Sequence, residues 1–321
     1  MSVNLKLEIF RVSLKKKGGR NDTLFDFKVL FNEIDKNKKK AYEKFVEGFI
    51  NYFNNEFKMN ADGNKGMTSS STTRYKIDFY SNVINGEIFG GPTDMQQSIY
   101  KKNNSKKKTG NLEKDDIATL PFFFKFWTPY DHNTGVLMVQ SYSNHTITEL
   151  VKIHLTKYIN TFGYSIIITP YIPESIAEKY KEHSNVYKIT YVKERLTKDK
   201  RKLLNPLFTD FDNLKIKIEV SGFKESVNDF WDKFRKSGKT LGSNLEDFDI
   251  KEEDDYEVIA HYVDENGHKT HTSMAKNLKI NPTNFLPEIL KQSVSNHFDF
   301  DKIRKHTNSI LNDIKIAINY K

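Results

Sequence analysis

The chain lacks cysteine and any long apolar run. None of its 321 residues is a cysteine, which excludes disulfide bonds, thiolate metal sites and a cysteine nucleophile. No apolar stretch approaches the roughly 18 residues that a membrane-spanning helix needs. The opening "MSVNLKLEIF" lacks the continuous apolar region of a signal peptide. These absences predict a soluble, cytoplasmic protein that does not insert into membranes.

Aromatic residues and positive charge are present in excess. Aromatics make up 13% of the chain and hydrophobic residues 37%, which argues against disorder because the chain has apolar area to bury. The length favours two domains, or one domain with an insertion. The formal net charge is +9, and a basic balance of this kind attracts polyanions.

Residues 1–170 read as an α/β body. "LKLEIFRVSL" alternates like a strand, whereas "LFDFKVLFNEI" and "KKKAYEKFVEGFINYF" have helical periodicity. "LPFFFKFW" and "VLMVQSYS" predict two strands joined by a turn, and "TITELVKIHLTKYINTF" and "SIIITPYI" predict a helix and another strand. One aromatic stripe on the second helix is interpreted as core rather than as a base-stacking surface: Tyr42, Phe45, Phe49, Tyr52 and Phe53.

Turn and loop signals lie between these elements. "NADGNKGMTSSSTT" is loop-like in composition, and a β-hairpin with its tight turn at Asn85–Gly86 follows it. "KKNNSKKKTGNLEKDD" also reads as a loop. The later segments "NVYKITYVKE", "LKIKIEVSG" and "YEVIAHYVDENGHKTHTS" predict strands, and "SVNDFWDKFRKS" predicts a short helix. We therefore expect a β-rich inserted domain at 171–284, and a pair of C-terminal helices at 285–321 that packs back on the body.

Catalytic motifs are weak. His268 and His271 are three residues apart, so on one strand they would point to opposite faces, and His154 reads as a core histidine. "KKKGGR" and "SGKTLGS" lack the spacing of a phosphate-binding loop. No cofactor and no metal is expected.

A metal-dependent nuclease remains the runner-up to a non-enzymatic protein. "DFDNLKIKIEV" supplies Asp210, Asp212, Lys217 and Glu219, but lysine precedes glutamate, the reverse of the usual nuclease order. Two ordinary amphipathic strands explain the segment as well. Carboxylates that assemble only in three dimensions stay open as an alternative.

Basic residues form three separate groups between the predicted strands. Flexible cationic loops bind phosphates without reading bases, so the three groups predict sequence-tolerant nucleic-acid binding. The alternative is charge that only keeps the surface solvated. The candidate contacts are Lys15, Lys16, Lys17 and Arg20; Lys101, Lys102, Lys106, Lys107 and Lys108; and Arg195, Lys198, Lys200, Arg201 and Lys202.

From about residue 120 onward, the order of elements resembles that of RexA-type phage-exclusion proteins. The likeness rests on the aromatic strand, turn, return strand and helix of "LPFFFKFWTPYDHNTGVLMVQSYSNHTITELVKIHL", and on "DENGHK" in the late hairpin. It contains no catalytic motif. The resemblance implies a globular domain, a second swivel domain, a homodimer and sequence-tolerant binding of double-stranded DNA.

Together these observations predict a non-enzymatic protein of anti-phage defence or phage exclusion. Its expected partners are nucleic acid, with duplex DNA favoured over RNA, a second copy of itself, and a second defence-system protein. The remaining alternative is a defence sensor that binds a phage or host polypeptide.

Overall fold

The computed structural model describes residues 4–18, 23–54, 56–69, 74–93, 97–101, 104–114, 116–143, 145–237, 256–264, 267–273 and 283–320. The chain divides into two compact units. Unit 1 comprises residues 1–171 and 284–321, and unit 2 comprises residues 172–283. These boundaries lie within a residue of those expected for the body, the insert and the C-terminal segment.

The chain contains both helices and strands in each of its two units. Before the insert the elements are β1 (Leu5–Lys16), α1 (Phe27–Ile34), α2 (Lys38–Phe53), β2 (Lys58–Met59), β3 (Lys65–Thr68), β4 (Tyr75–Asp78), β5 (Val83–Pro92), β6 (Gln97–Lys101), β7 (Asn104–Leu112), β8 (Leu120–Trp127), β9 (Thr134–Tyr142), α3 (Thr148–Asn160) and β10 (Tyr164–Pro170). The insert contains α4 (Glu174–His183), β11 (Asn185–Lys193), α5 (Lys198–Leu204), β12 (Ile216–Ser221), α6 (Val227–Ser237), β13 (Tyr256–Val263) and β14 (Lys269–Ser273), and α7 (Phe300–Ala317) follows it. The α/β class predicted from the sequence is confirmed.

Unit 1 is built on an eight-stranded sheet in the order β10-β1-β9-β8-β5-β3-β2, with β4 also paired to β5. Strand β8 shows how its two faces are used. Phe124 and Phe126 contact Phe49 of α2 on one face, with ring centroids 5.7 and 6.4 Å away. On the other face Phe123 lies 5.6 Å from Phe300 of α7. Helices therefore cover both faces, as the alternation of side chains along a strand requires.

The aromatic stripe of α2 is core, as predicted. Tyr42, Phe45, Phe49 and Phe53 are buried, and Tyr52 is half-buried. Asn37 begins the helix by accepting a hydrogen bond from the Lys40 N–H at 3.1 Å, the usual role of asparagine at this position.

The expected turn at Asn85–Gly86 is wrong. Both residues lie inside β5, and the chain turns between Asp78 and Val83, where Asn82 has φ 54°. A Cβ on Gly86 would lie 2.4 Å from the Phe124 ring and 2.8 Å from the Tyr75 ring. The glycine therefore serves close ring packing across the sheet and not a turn.

Three other local predictions need correction. The loop predicted around residues 60–73 contains β3, whose Met67 is fully buried in the sheet. The lysine-rich segment after Tyr100 is part of a two-stranded ribbon of β6 and β7 and not a loop. The pair of C-terminal helices is a single helix, α7, preceded by a 3-10 turn at Glu288–Leu290 that follows Pro287. After Leu290 the described chain forms no further helix until Asp299, which begins α7 by accepting a hydrogen bond from the Lys302 N–H at 3.0 Å.

Unit 2 has its own four-stranded sheet, in the order β12-β11-β13-β14, with every pairing antiparallel. Its core is small, and comprises Val186, Ile189, Tyr191, Val227, Phe230, Ala260 and Tyr262. Helix α6 supplies two of these residues. The β-rich insert expected from the sequence matches this sheet.

The insert leaves and re-enters unit 1 beside the same strand. The Tyr171 N–H donates to the Ile9 carbonyl at 2.8 Å, and the Leu7 N–H donates to the Asn284 carbonyl at 2.9 Å. Over the described residues, no helix is long and apolar enough to cross a membrane.

Candidate nucleic-acid interface

The first predicted basic group lies at the end of β1. Lys16 and Lys17 are exposed and Lys15 is half-buried, while Arg20 lies outside the described residues. Lys16 pairs with Tyr164 of β10, and the Lys17 N–H donates to the Gly163 carbonyl at 3.1 Å. Backbone pairing with the start of β10 therefore fixes the position of this group at the edge of the sheet.

The second group belongs to the β6–β7 ribbon. Lys101, Lys106 and Lys107 are on its strands, Lys108 is exposed, and Lys102 lies outside the described residues. The ribbon follows the end of β5, where Gly90 pairs with Leu120, whereas Val83 at the start of β5 pairs with Trp127. Because β1 ends on the Trp127 side of the sheet, the first and second groups leave opposite ends of it.

The third group lies in unit 2. Arg195, Lys198 and Lys202 are exposed and Lys200 is half-buried. Arg201 is different because only 7% of it is exposed. Its Nη1 donates to Asp212 Oδ1 at 3.0 Å and also to the Phe211 carbonyl. This guanidinium is engaged within the unit, and its position indicates a structural role.

The carboxylates of the nuclease alternative are also partly engaged. Asp212 is bound by Arg201, and Glu219 accepts a hydrogen bond from Lys188 at 3.0 Å. Lys188 lowers the pKa of Glu219. Among the residues that the structure describes, no group of three or more acidic or histidine side chains is arranged to hold a metal ion.

A further basic group, not predicted from the sequence, lies at the start of α2. Lys36, Lys38, Lys39 and Lys40 are all exposed. Tyr164, the partner of Lys16, donates its hydroxyl to Glu33 in the last turn of α1, and Lys36 follows that turn. We call the six exposed lysines Lys16, Lys17, Lys36, Lys38, Lys39 and Lys40 the lysine end. Four lysines within residues 36–40 were the available signal, but they read as part of a helix.

Several acidic side chains near the lysine end are already paired. Asp35 Oδ2 accepts from Lys44 Nζ at 2.7 Å, and this bond lowers the pKa of Asp35, with a further contribution from the Asn37 N–H. Lys28 lies 3.1 Å from Asp26 and 3.4 Å from Asp131. Within the lysine end itself, Lys39 is 3.9 Å from Glu43. An exposed pair of this length adds little.

Aromatic side chains border the lysine end. Lys38 Nζ lies 4.3 Å from the centre of the Tyr130 ring. Tyr42, one turn further along α2, packs on Phe79 at 6.1 Å. Next to Phe79 in the β4–β5 turn is Tyr80, which is 98% exposed. A tyrosine held out in this way presents a ring on which a base can stack.

A buried lysine lies on the face of the sheet covered by α7. Lys125 has no exposed surface. Its Nζ donates to the Asn308 side-chain oxygen and, at 3.5 Å, to the Arg304 carbonyl. Burial lowers the pKa of Lys125 to about 7, and the nearby charges of Arg304 and Lys315 act in the same direction. The amine is thus enclosed and bonded to α7, which makes it a structural element of unit 1.

The histidines have local partners. His154 is a core residue, as predicted: its Nδ1 is 3.3 Å from the Tyr52 hydroxyl and its Nε2 is 3.1 Å from the Met59 carbonyl. In unit 2, His261 pairs across the strands with His271, and its Nε2 is 2.9 Å from Thr190 Oγ1. Burial and then Lys188 lower the pKa of His261.

Comparison of the chain with protein-family models, with curated proteins and with solved structures found no match.

Proposed function

We propose that the protein binds nucleic acid without reading its sequence, and that the lysine end of unit 1 is the principal contact surface. The observation that carries this proposal is that six exposed lysines lie around one end of the sheet, where β1 ends and where α1 passes into α2. Duplex DNA is the proposed ligand, as the element-order resemblance to RexA-type proteins implies.

The chemistry of the surface suits phosphates better than base edges. Lysine is a compact charge on a flexible stem, so it neutralises phosphate without fixing a base-specific geometry. Binding of this kind releases counterions and weakens steeply as salt rises. Lys108 of the β6–β7 ribbon and the exposed lysines of unit 2 are secondary contacts in this proposal. Arg201 is not a contact because it is buried.

The cellular role in the proposal is phage exclusion or anti-phage defence in the cytoplasm, without catalysis, with a homodimer and a second defence-system protein as partners. It rests on the resemblance in element order from about residue 120 onward.

The direct test measures binding of fluorescent duplex DNA, single-stranded DNA and RNA over a salt series. The variant Lys38→Glu/Lys39→Glu/Lys40→Glu is expected to weaken duplex binding at least about tenfold, because each exposed phosphate contact adds to the salt-dependent free energy. The matched control, Lys76→Glu/Lys114→Glu/Lys305→Glu, changes the same net charge at exposed lysines elsewhere in unit 1. It is expected to retain most of the affinity.

Three results would overturn the proposal. Equal losses in both triple variants would show a response to net charge and not to the lysine end. A flat signal for duplex DNA at low salt would favour the polypeptide-binding alternative. Cleavage of plasmid DNA with Mg²⁺ or Mn²⁺ that disappears in Asp210→Asn or Asp212→Asn would replace binding by nuclease activity.

A further inference from the structure

Strand β10 forms one edge of the main sheet, and its outward peptide groups can be identified. In the pairing with β1, the Lys17 N–H bonds to the Gly163 carbonyl and the Tyr171 N–H bonds to the Ile9 carbonyl. Antiparallel bonding alternates along a strand, so the odd-numbered residues from Gly163 to Tyr171 face β1. The N–H and C=O groups of Tyr164, Ile166 and Ile168 therefore point away from the sheet.

Nothing among the described residues pairs with this outer edge, since β10 ends the strand order. The edge also lacks the usual protection against pairing. No charged side chain lies on β10, and Pro170, which has no N–H, comes only at its end. An edge of this type is a template for another strand.

Helix α3 lies beside the edge and presents a stripe of three exposed residues four positions apart: Glu149, Ile153 and Lys157. Ile153 is 42% exposed although it is a large apolar residue. With Ile166 and Ile168 of β10, the stripe lines a groove of about 370 Å³. The groove therefore has an apolar centre, with Lys157 at one end and Glu149 at the other. Lys152 also lines it and donates to Glu149 Oε1 at 2.7 Å, while Glu149 itself stays exposed.

Residues of α3 and of β10 that line this groove lie at matching distances from the turn that joins the two elements. Both run from the turn at residues 161–163, where the helix advances about 1.5 Å per residue and the strand about 3.3 Å per residue. Ile153 and Ile166 are thus both about 13 Å from the turn. By the same count Lys157 is level with Tyr164, and Glu149 is level with Ile168.

We propose that this edge is a homodimer interface, in which β10 pairs antiparallel with β10 of a second copy about a two-fold axis at Ile166. Tyr164 then pairs with Ile168 of the second copy, and the outward N–H and C=O groups of these residues are all satisfied. The two-fold axis is perpendicular to the sheet, so both α3 helices lie on the same face and run antiparallel.

The same axis makes the stripe complementary to itself. Ile153 meets its symmetry mate, and Glu149 of each copy faces Lys157 of the other. Helix α3 also covers β1, since Lys152 Nζ lies 5.1 Å from the centre of the Phe10 ring. A helix centred between β1 and β10 stands about 5 Å from the axis, which puts the two helices about 10 Å apart, a normal packing distance. This interface locates the homodimer of the proposed function, and it does not depend on the proposed nucleic-acid binding.

The first test is the mass of the full chain in solution by sedimentation. Wild type is expected to be a dimer at micromolar concentration, and Ile153→Asp is expected to raise the dimer dissociation constant at least about tenfold, because it buries two unpaired carboxylates at the axis. Ile316→Asp is the matched control, since Ile316 is 75% exposed on α7, across the sheet from α3. A monomeric wild type, or equal effects of the two variants, overturns the proposal.

Charge reversal tests the symmetry of the interface. Glu149→Lys and Lys157→Glu are each expected to weaken the dimer about tenfold, because each places two like-charged pairs across the axis. The double variant restores both opposite-charge pairs and is expected to return to within about threefold of wild type. Additive weakening in the double variant contradicts the antiparallel arrangement.

Cross-linking gives a positive signal that does not depend on a loss of stability. The chain has no cysteine, so Ile153→Cys introduces a single thiol that meets its own symmetry mate. Mild oxidation is expected to convert this variant to a covalent dimer, and to leave Ile316→Cys monomeric on a non-reducing gel. Equal cross-linking of the two variants overturns the proposal.

Discussion

Lys125 in the middle of β8 donates a hydrogen bond from its Nζ to the side-chain oxygen of Asn308 in α7. A fully buried amine therefore fastens the C-terminal helix to the main sheet. Since Asn308 is half-exposed, water can reach the acceptor if the lysine is replaced.

This burial makes the stability of unit 1 depend on pH. The ordinary lysine pKa is 10.5, and burial lowers that of Lys125 to about 7. Between these values the unfolded chain holds a proton that the folded chain does not, so the free energy of unfolding rises with pH, by at most about 1.4 kcal/mol per unit. Below about pH 7 both states are protonated and the destabilisation is complete.

Lys125→Met is expected to remove this slope and to raise the free energy of unfolding at pH 7 by about 1–3 kcal/mol, because methionine has no charge to desolvate. Urea unfolding from pH 6 to pH 10 measures both effects. Lys305→Met changes an exposed lysine of α7, the helix to which Lys125 is bonded. It is the control and should follow wild type. Parallel curves for wild type and Lys125→Met would contradict the assignment.

Gly86 is expected to tolerate no side chain. Gly86→Ala places a methyl group against the rings of Phe124 and Tyr75 and should lower the free energy of unfolding by about 1–3 kcal/mol. In Gly110→Ala the nearest atom is 3.7 Å from the new Cβ, an ordinary contact, so the effect should be small. Thermal unfolding of both variants compares them; similar losses would contradict the packing argument.

Arg201 and Lys202 should behave differently although they are adjacent. Arg201→Met removes the bonds from the buried guanidinium to Asp212 and Phe211 and is expected to destabilise unit 2 by about 1–3 kcal/mol. Lys202→Met changes an exposed side chain and should be neutral. Hydrogen exchange of peptides from unit 2 reports stability, and DNA binding below the unfolding transition reports contact. A loss of affinity without faster exchange in Arg201→Met would assign that residue to the interface.

The salt dependence of DNA binding should identify the phosphate contacts. Replacing Lys38 and Lys39 with Gln is expected to reduce the slope of log affinity against log salt by about 0.9 for each phosphate that is no longer neutralised. The change should be similar for unrelated duplex sequences, because phosphate contacts carry no sequence information. An unchanged slope would exclude these lysines from the interface.

Replacing Tyr80 should affect the binding of single-stranded DNA and of duplex DNA differently. Tyr80→Ala is expected to weaken single-stranded DNA binding by about 1–3 kcal/mol if its ring stacks on a base, and to leave duplex affinity unchanged because paired bases are not available. The measurement is the ratio of the two affinities in wild type and variant. A loss confined to the duplex would contradict the stacking role.

Local patterns predicted most of the elements but not the contacts between distant segments. The spacing of Phe45, Phe49 and Phe53 is enough to place a helix and its buried face. The turn predicted at Asn85–Gly86 was wrong because the requirement for glycine at position 86 comes from the ring of Phe124, which is remote in sequence. No periodicity reveals that the end of β1 and the start of α2 lie at the same end of the sheet. That depends on the pairing of Lys16 with Tyr164 and on the hydrogen bond from Tyr164 to Glu33.

The way in which unit 2 is inserted into unit 1 has a consequence for deletion of the insert. Tyr171 and Asn284 bond to the same side of β1, opposite Ile9 and Leu7, and the chain runs in the same direction at both. Only the position opposite Glu8 separates them. Joining Tyr171 to Asn284 through one residue is thus expected to give an uninterrupted strand, so that residues 172–283 could be deleted or replaced by recombination with the sheet of unit 1 kept intact.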